Sequence, residues 1–160
     1  MDLQPATLLF EDSGAIPNNP KLPLLYYEGA FEDVTPELIE QTFAANDWGD
    51  SWRASVFPFP HYHAEAHEAL GCFRGTATIR LGGAGGIEQR VQPGDVVVFF
   101  SHIPHQGAKL KQEDENAPLR CNVVLHYQQT PMFPGISFVS SPLPAIEALG
   151  YEGTFPFAGG

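Results

Sequence analysis

His61-Tyr62-His63-Ala64-Glu65-Ala66-His67-Glu68 closes one strand-like run, Ser55–His63, and opens the next, and its reading decides the fold. Three of the chain's six histidines lie in this segment. On a strand, residues two apart point to one face, so His61 and His63 present both imidazoles to one point while Tyr62 turns away. Glu68 follows His63 by five residues, and a turn between the two runs returns its carboxylate toward the same point. Two imidazoles and a carboxylate suit a borderline divalent ion such as iron, manganese, nickel, cobalt or zinc. A fourth ligand has to come from elsewhere in the chain.

Outward from this segment the apolar residues keep a period of two. Ser55–His63, Ala69–Phe73, Thr76–Leu81, Ile87–Val91, Val96–Phe100 and Leu119–Tyr127 read as short strands separated by turns. Gly82-Gly83-Ala84-Gly85-Gly86 joins two of them; no Lys-Ser/Thr follows and no helix opens after it, so it is a hairpin loop and not a phosphate loop. Fifteen prolines and 16 glycines exclude long helices over most of the chain. One helix is expected within Asp33–Gly49, capped by Thr35, with Pro36 at its first position, Glu37 in its first turn, and Leu38, Ile39 and Phe43 on a shared face. Turn signals around Leu24–Tyr27 make residues 1–30 an extended arm packed on a sheet, and Ala145–Leu149 is a single helical turn in a Pro- and Gly-rich tail. Six or more strands between two irregular flanks make an all-β sandwich or jelly-roll barrel as one domain, 1–160. Within it, 1–50 is the arm and helix, 51–130 the barrel core and 131–160 the irregular tail.

The spacing His61-x-His63-x4-Glu68-x6-Gly75 resembles the first sequence motif of the cupins at every position. Gly94-x5-Phe100-x-His102-x2-His105 resembles the second, with Phe100 and His102 where a typical cupin has Pro and Gly, and Lys109 where it often has Asn. The resemblance implies a double-stranded β-helix, the cupin jelly-roll barrel, in which His61, His63, Glu68 and His105 hold one divalent transition metal ion. The two substitutions bear on the shape of the loop before His105. Ile16-Pro17-Asn18-Asn19-Pro20, Leu22-Pro23-Leu24, Asn46-Asp47-Trp48 with Trp52, and His67-Glu68-Ala69-Leu70-Gly71 are similar to a narrower group, the bacterial single-domain cupins of the YjlB type. Residues 140–153 fit that group only loosely.

Other residues near the site have plainer roles. His67 reads as a turn residue at the barrel mouth, a ligand only as a substitute for Glu68, and His102 as an exposed loop residue or a hydrogen-bond partner of the ligands. His126 shares a strand face with Asn122 and Val124, opposite the apolar set Cys121, Val123 and Leu125, and so lies outside the pocket. Leu70 and Cys72 share the parity of Glu68 and point inward, Cys72 as a packed small hydrophobe. Phe57 and Phe59 share the parity of His61 and His63, which places their rings in the cavity, either lining an apolar pocket or filling the barrel. Arg53, Arg74 and Arg120 are tied to the site by no spacing and read as partners in surface salt bridges.

Eight Lys and Arg against 19 Asp and Glu give a net charge of −11, and no basic run offers a nucleic acid backbone a seat. The first residues carry no basic start and no apolar run long enough for a signal core or a membrane span, which points to the cytoplasm and to free thiols at Cys72 and Cys121. The Pro-rich arm favours a homodimer. Three imidazoles and one carboxylate leave a divalent ion one net positive charge and, in an octahedral shell, two open positions for a small organic molecule. That fits a metal-dependent oxygenase-type enzyme or a related lyase or isomerase; a non-catalytic small-molecule sensor and a metal-stapled structural barrel are the alternatives.

Overall fold

The structure is a computed structural model that describes residues 4–12, 17–54, 56, 59–63, 66–83, 85–111 and 122–129. Phe57, Arg120, Cys121 and the expected turn Ala145–Leu149 lie outside them. The helix forms where its sequence signals put it. Thr35, in extended conformation, accepts a hydrogen bond from the Leu38 amide at 3.2 Å, and Pro36 opens α1, Pro36–Ala45. Ile39 and Phe43 lie nearly in line along the helix and are fully buried. Leu38 is exposed, because a residue adjacent to Ile39 is turned about 100° away from it on a helix. No helix among the described residues is long and apolar enough to cross a membrane.

Among the described residues, nine strands make two antiparallel sheets. β1 (Ala6–Leu8), β2 (Leu24–Tyr27), β3 (Gly49–Ala54), β4 (Ala66–Arg74), β7 (Val96–Phe99) and β9 (Asn122–Gln129) form a six-stranded sheet in the order β1-β2-β7-β4-β9-β3. β5 (Thr76–Leu81), β6 (Ile87–Val91) and β8 (His105–Lys111) form a three-stranded sheet in the order β6-β5-β8. β5 shows the alternation of a half-buried strand, with Ala77, Ile79 and Leu81 turned in. β7, held between β2 and β4, is buried throughout, as its Val-Val-Val-Phe run requires. Leu70, Val97, Ile79, Leu81 and Val91 belong to one buried cluster, so the inner faces of both sheets share a single core. This is the two-sheet, all-β jelly-roll architecture expected for the chain.

Two tight features hold the outer elements to the sheets. At Gly71 on β4, a Cβ atom would lie 2.6 Å from Ile39 Cγ2 and 3.4 Å from Phe43 Cζ, so the missing side chain is what lets the helix sit down. Asp95, 1% exposed, accepts hydrogen bonds from Tyr26 OH at 2.9 Å, Gly29 N at 2.9 Å and Gln92 N at 3.0 Å. That carboxylate pins the arm to the turn between β6 and β7.

Two strand expectations change. Of the expected run Ser55–His63, the described residues 56 and 59–63 form no strand: pairing occurs earlier, in β3, and within 59–63 only His61 bridges another strand. Pro60 has no N–H to give a ladder, which outweighs the period-two pattern there. β8 lies outside every run singled out by periodicity, because His-Gln-Gly-Ala-Lys-Leu-Lys carries too few apolar residues to register.

Candidate metal centre

The site is assembled from three segments. Backbone hydrogen bonds from His61 N to His105 O, 3.2 Å, and from His105 N to His61 O, 2.9 Å, clip the end of the Pro-rich stretch to the first residue of β8. The two rings then lie 4.1 Å apart, centre to centre. His63, one step further, stands 5.5 Å from the His61 ring and 5.4 Å from that of His105. From the six-stranded sheet, β4 delivers Glu68 between Phe99 and Tyr127 in register. Its Oε2 lies 2.9 Å from His63 Nε2 and 3.2 Å from His105 Nε2. One ring nitrogen from each of His61, His63 and His105 falls within 4.8 Å of the other two. Glu68 and His105 form a buried floor, at 2% exposure each, while His61 and His63 are half-buried on the open side.

No protein-family model matches the chain. Among curated proteins it is 38% identical over 106 residues to the uncharacterized protein YjlB of Bacillus subtilis (strain 168), covering 66% of this chain and 63% of that one. Over those 106 residues this chain is similar to YjlB. It spans less than two thirds of the length of that relative. Among solved structures, HEPD of Streptomyces albus, with 2-hydroxyethylphosphonate and Fe(II) bound, aligns at 12% identity and TM-score 0.41 over 82% of this chain and 25% of its own. Acireductone dioxygenase of Bacillus anthracis, with cadmium in its active centre, aligns at 16% and 0.40 over 59% of each chain. A DUF861 family protein of Thermotoga maritima aligns at 19% and 0.36 over 61% of this chain and 94% of its own. Likenesses of this size do not bear on the activity of this chain.

The donor set fits a divalent cation. His61 Nδ1 is 3.1 Å from Phe59 O and His105 Nδ1 is 3.0 Å from Ile103 O. A carbonyl only accepts, so each Nδ1 carries the hydrogen and each neutral ring keeps its lone pair on Nε2. His105 Nε2 and Glu68 Oε2 thus meet as two acceptors, both buried and without a hydrogen-bond partner. A proton between them, on the imidazole or on the carboxyl, or a metal ion reconciles that contact. Burial works against ionisation of Glu68, but the imidazoles of His105 and His63 outweigh it and hold the carboxyl down to about 2. Burial, with the His105 charge, pushes His61 toward its neutral, ligating form. An ionised Glu68 beside a neutral His61 is the state of both side chains that a divalent cation binds.

The neighbours of the site depart from expectation. His67 is no turn residue: β4 already begins at Ala66, and His67 is buried, its Nδ1 accepting from Ser101 N at 2.9 Å and its ring edge-on to Phe100. It does not join the converging histidines. Burial, helped by the His102 charge, pushes its pKa down to about 4. His102 is half-buried and not simply exposed; its ring stacks on Tyr62 at 5.9 Å and its amide donates to His63 O at 2.8 Å. Its φ of 71° lies in the left-handed region that favours glycine, the residue a typical cupin motif has at that position. Phe59 is 54% exposed, beside the His61 ring, and so points out of the barrel; strand parity does not carry across a segment that is not a strand. Leu70 and Cys72 are fully buried in the core, with Cys72 Sγ 3.7 Å from Gly75 O. The backbone of His126 pairs with Ala69, and Arg53 bonds Glu37 and Glu40 on the surface. Asn19, whose Nδ2 donates to Ser101 O at 3.1 Å across 82 residues of sequence, has no sequence signal for that role.

Proposed function

We propose that His61, His63, Glu68 and His105 hold one divalent transition metal ion, iron, manganese, nickel, cobalt or zinc, and that the cupin acts on a small organic molecule as a metal-dependent oxygenase-type enzyme. The observation that carries this is the buried meeting of Glu68 Oε2 and His105 Nε2, two acceptors with no hydrogen-bond partner, flanked by two more imidazoles. When bound, such an ion polarises an oxygen of a chelating substrate and stabilises the negative charge that develops on it.

The chain's own residues do the rest. Glu68 and His105 close the floor and keep water from it, and the half-buried His61 and His63 leave the approach on one side. Phe99, stacked on the His105 ring at 4.3 Å and 6°, fixes the plane of that imidazole. Nδ1–H bonds to Phe59 O and Ile103 O select the tautomer. Oxygen consumption by iron- or nickel-loaded protein over a panel of enediols, diketones and catechols tests the activity. Turnover of one class is expected; tight ligand binding without conversion for any metal points instead to a sensing or binding module. The protein works as a homodimer in the cytoplasm on this view, without nucleic acid or membrane partners; a monomeric mass by light scattering contradicts the first part.

A further inference from the structure

Adjacent residues of a strand point to opposite faces, and β4 carries two buried polar side chains in succession. Glu68 faces His63 and His105; His67 reaches the loop that leads into His105. There the peptide of Ser101 is clamped at both ends by distant side chains: its N–H donates to His67 Nδ1 at 2.9 Å and its carbonyl accepts from Asn19 Nδ2 at 3.1 Å. The next residue, His102, has φ 71°, a conformation that a non-glycine keeps only where its surroundings fix it. From that residue, N–H donates to His63 O at 2.8 Å, and one residue further Ile103 O accepts from His105 Nδ1 at 3.0 Å. The bonds that orient two members of the histidine cluster thus fall within two residues of the clamp.

We propose that His67 is a positioning residue for the metal centre: its Nδ1 lone pair fixes the Ser101 peptide, and through it the left-handed turn that aims His63 and His105 at the point Glu68 faces. A buried apolar side chain would fill the same space beside Phe100; what the imidazole adds is an acceptor for a buried amide. One rigid strand then sets three of the four donors, one directly and two through the loop. The inference rests on the metal-binding reading of the site.

Cobalt(II) alone is the probe, with affinity from chelator competition, the visible ligand-field spectrum, and melting of the metal-free protein. His67→Phe keeps the ring and removes the acceptor; His67→Asn returns an oxygen near the position of Nδ1. The Phe variant is expected to bind cobalt about 10- to 100-fold more weakly with an altered spectrum, the range seen when groups supporting metal ligands are lost, and the Asn variant to recover most of both. A folded Phe variant with unchanged affinity and spectrum, even at a lower melting temperature, overturns the proposal, as does an Asn variant no better than Phe. Should the Phe variant fail to fold, Asn19→Ala, which opens the other end of the clamp, has to show the same weakening and spectral change. Wild-type protein that binds no cobalt overturns the metal reading and this inference with it, an outcome distinct from wild-type binding that the Phe variant matches.

Discussion

Asp95→Ala is expected to destabilise the fold by roughly 3–5 kcal/mol, since hydrogen bonds to a charged group are worth about 1.5–3 kcal/mol each. The figure is worked from three bonds: Tyr26 OH at 2.9 Å, Gly29 N at 2.9 Å and Gln92 N at 3.0 Å all end on a carboxylate that is 1% exposed. All three contacts are only part-buried, so water entering the vacated space recovers a share, and the total falls to or below the low end of the simple sum of about 4.5–9 kcal/mol. Tyr26→Phe, which removes one donor and leaves the carboxylate two amides, should cost about 1 kcal/mol. The assay is urea unfolding, with the midpoint falling and the slope unchanged. A loss near 4 kcal/mol is a large fraction of the roughly 5–15 kcal/mol of a typical domain, so Asp95→Ala is expected near the limit of folding at room temperature. An Asp95→Ala loss under about 1 kcal/mol would refute the reasoning, because it would mean that the arm is not held to the sheet through this side chain.

Gly71→Ala should cost about 1–3 kcal/mol by urea unfolding, since its methyl group meets Ile39 at 2.6 Å and the β-branched side chain cannot swing away within a packed helix face. The metal-free protein should lose stability as pH falls from 6.5 toward 4. His67, held at about 4 by burial, stays neutral in the fold while the unfolded chain already binds the proton, so acid favours unfolding through that window; the lowered His61 adds in the same sense. A melting temperature flat between those pH values contradicts this. Saturation with a divalent ion at 100 times its dissociation constant should stabilise the wild type by about 2.7 kcal/mol, reversibly with chelator, and leave His105→Ala unmoved.

The parts of the fold legible in the sequence are those fixed by neighbours in the chain. Thr35 and Pro36 start α1 where their chemistry dictates, β5 and β6 fall within the runs Thr76–Leu81 and Ile87–Val91, and Gly82 and Gly83, both at positive φ, turn the hairpin between them. Periodicity misleads where a local rule opposes it, as at Pro60, and is silent where a strand is mostly polar, as in β8. At the site, the histidines singled out by spacing, His61, His63 and His105, converge, and Glu68 contacts two of them, His63 and His105. What lay beyond reach was their support. The bonds from Ser101 to His67 and from Asn19 to Ser101 span 34 and 82 residues, and only the folded chain brings those partners together.

Elemental analysis of the protein as purified, together with His61→Ala and His105→Ala, tests the central claim most directly. The account predicts about one transition metal ion per chain in the wild type and its loss from both variants, each of which removes one of four ligands. A wild-type protein that takes up no divalent ion even when supplied with one, or variants that keep the full complement, would contradict it.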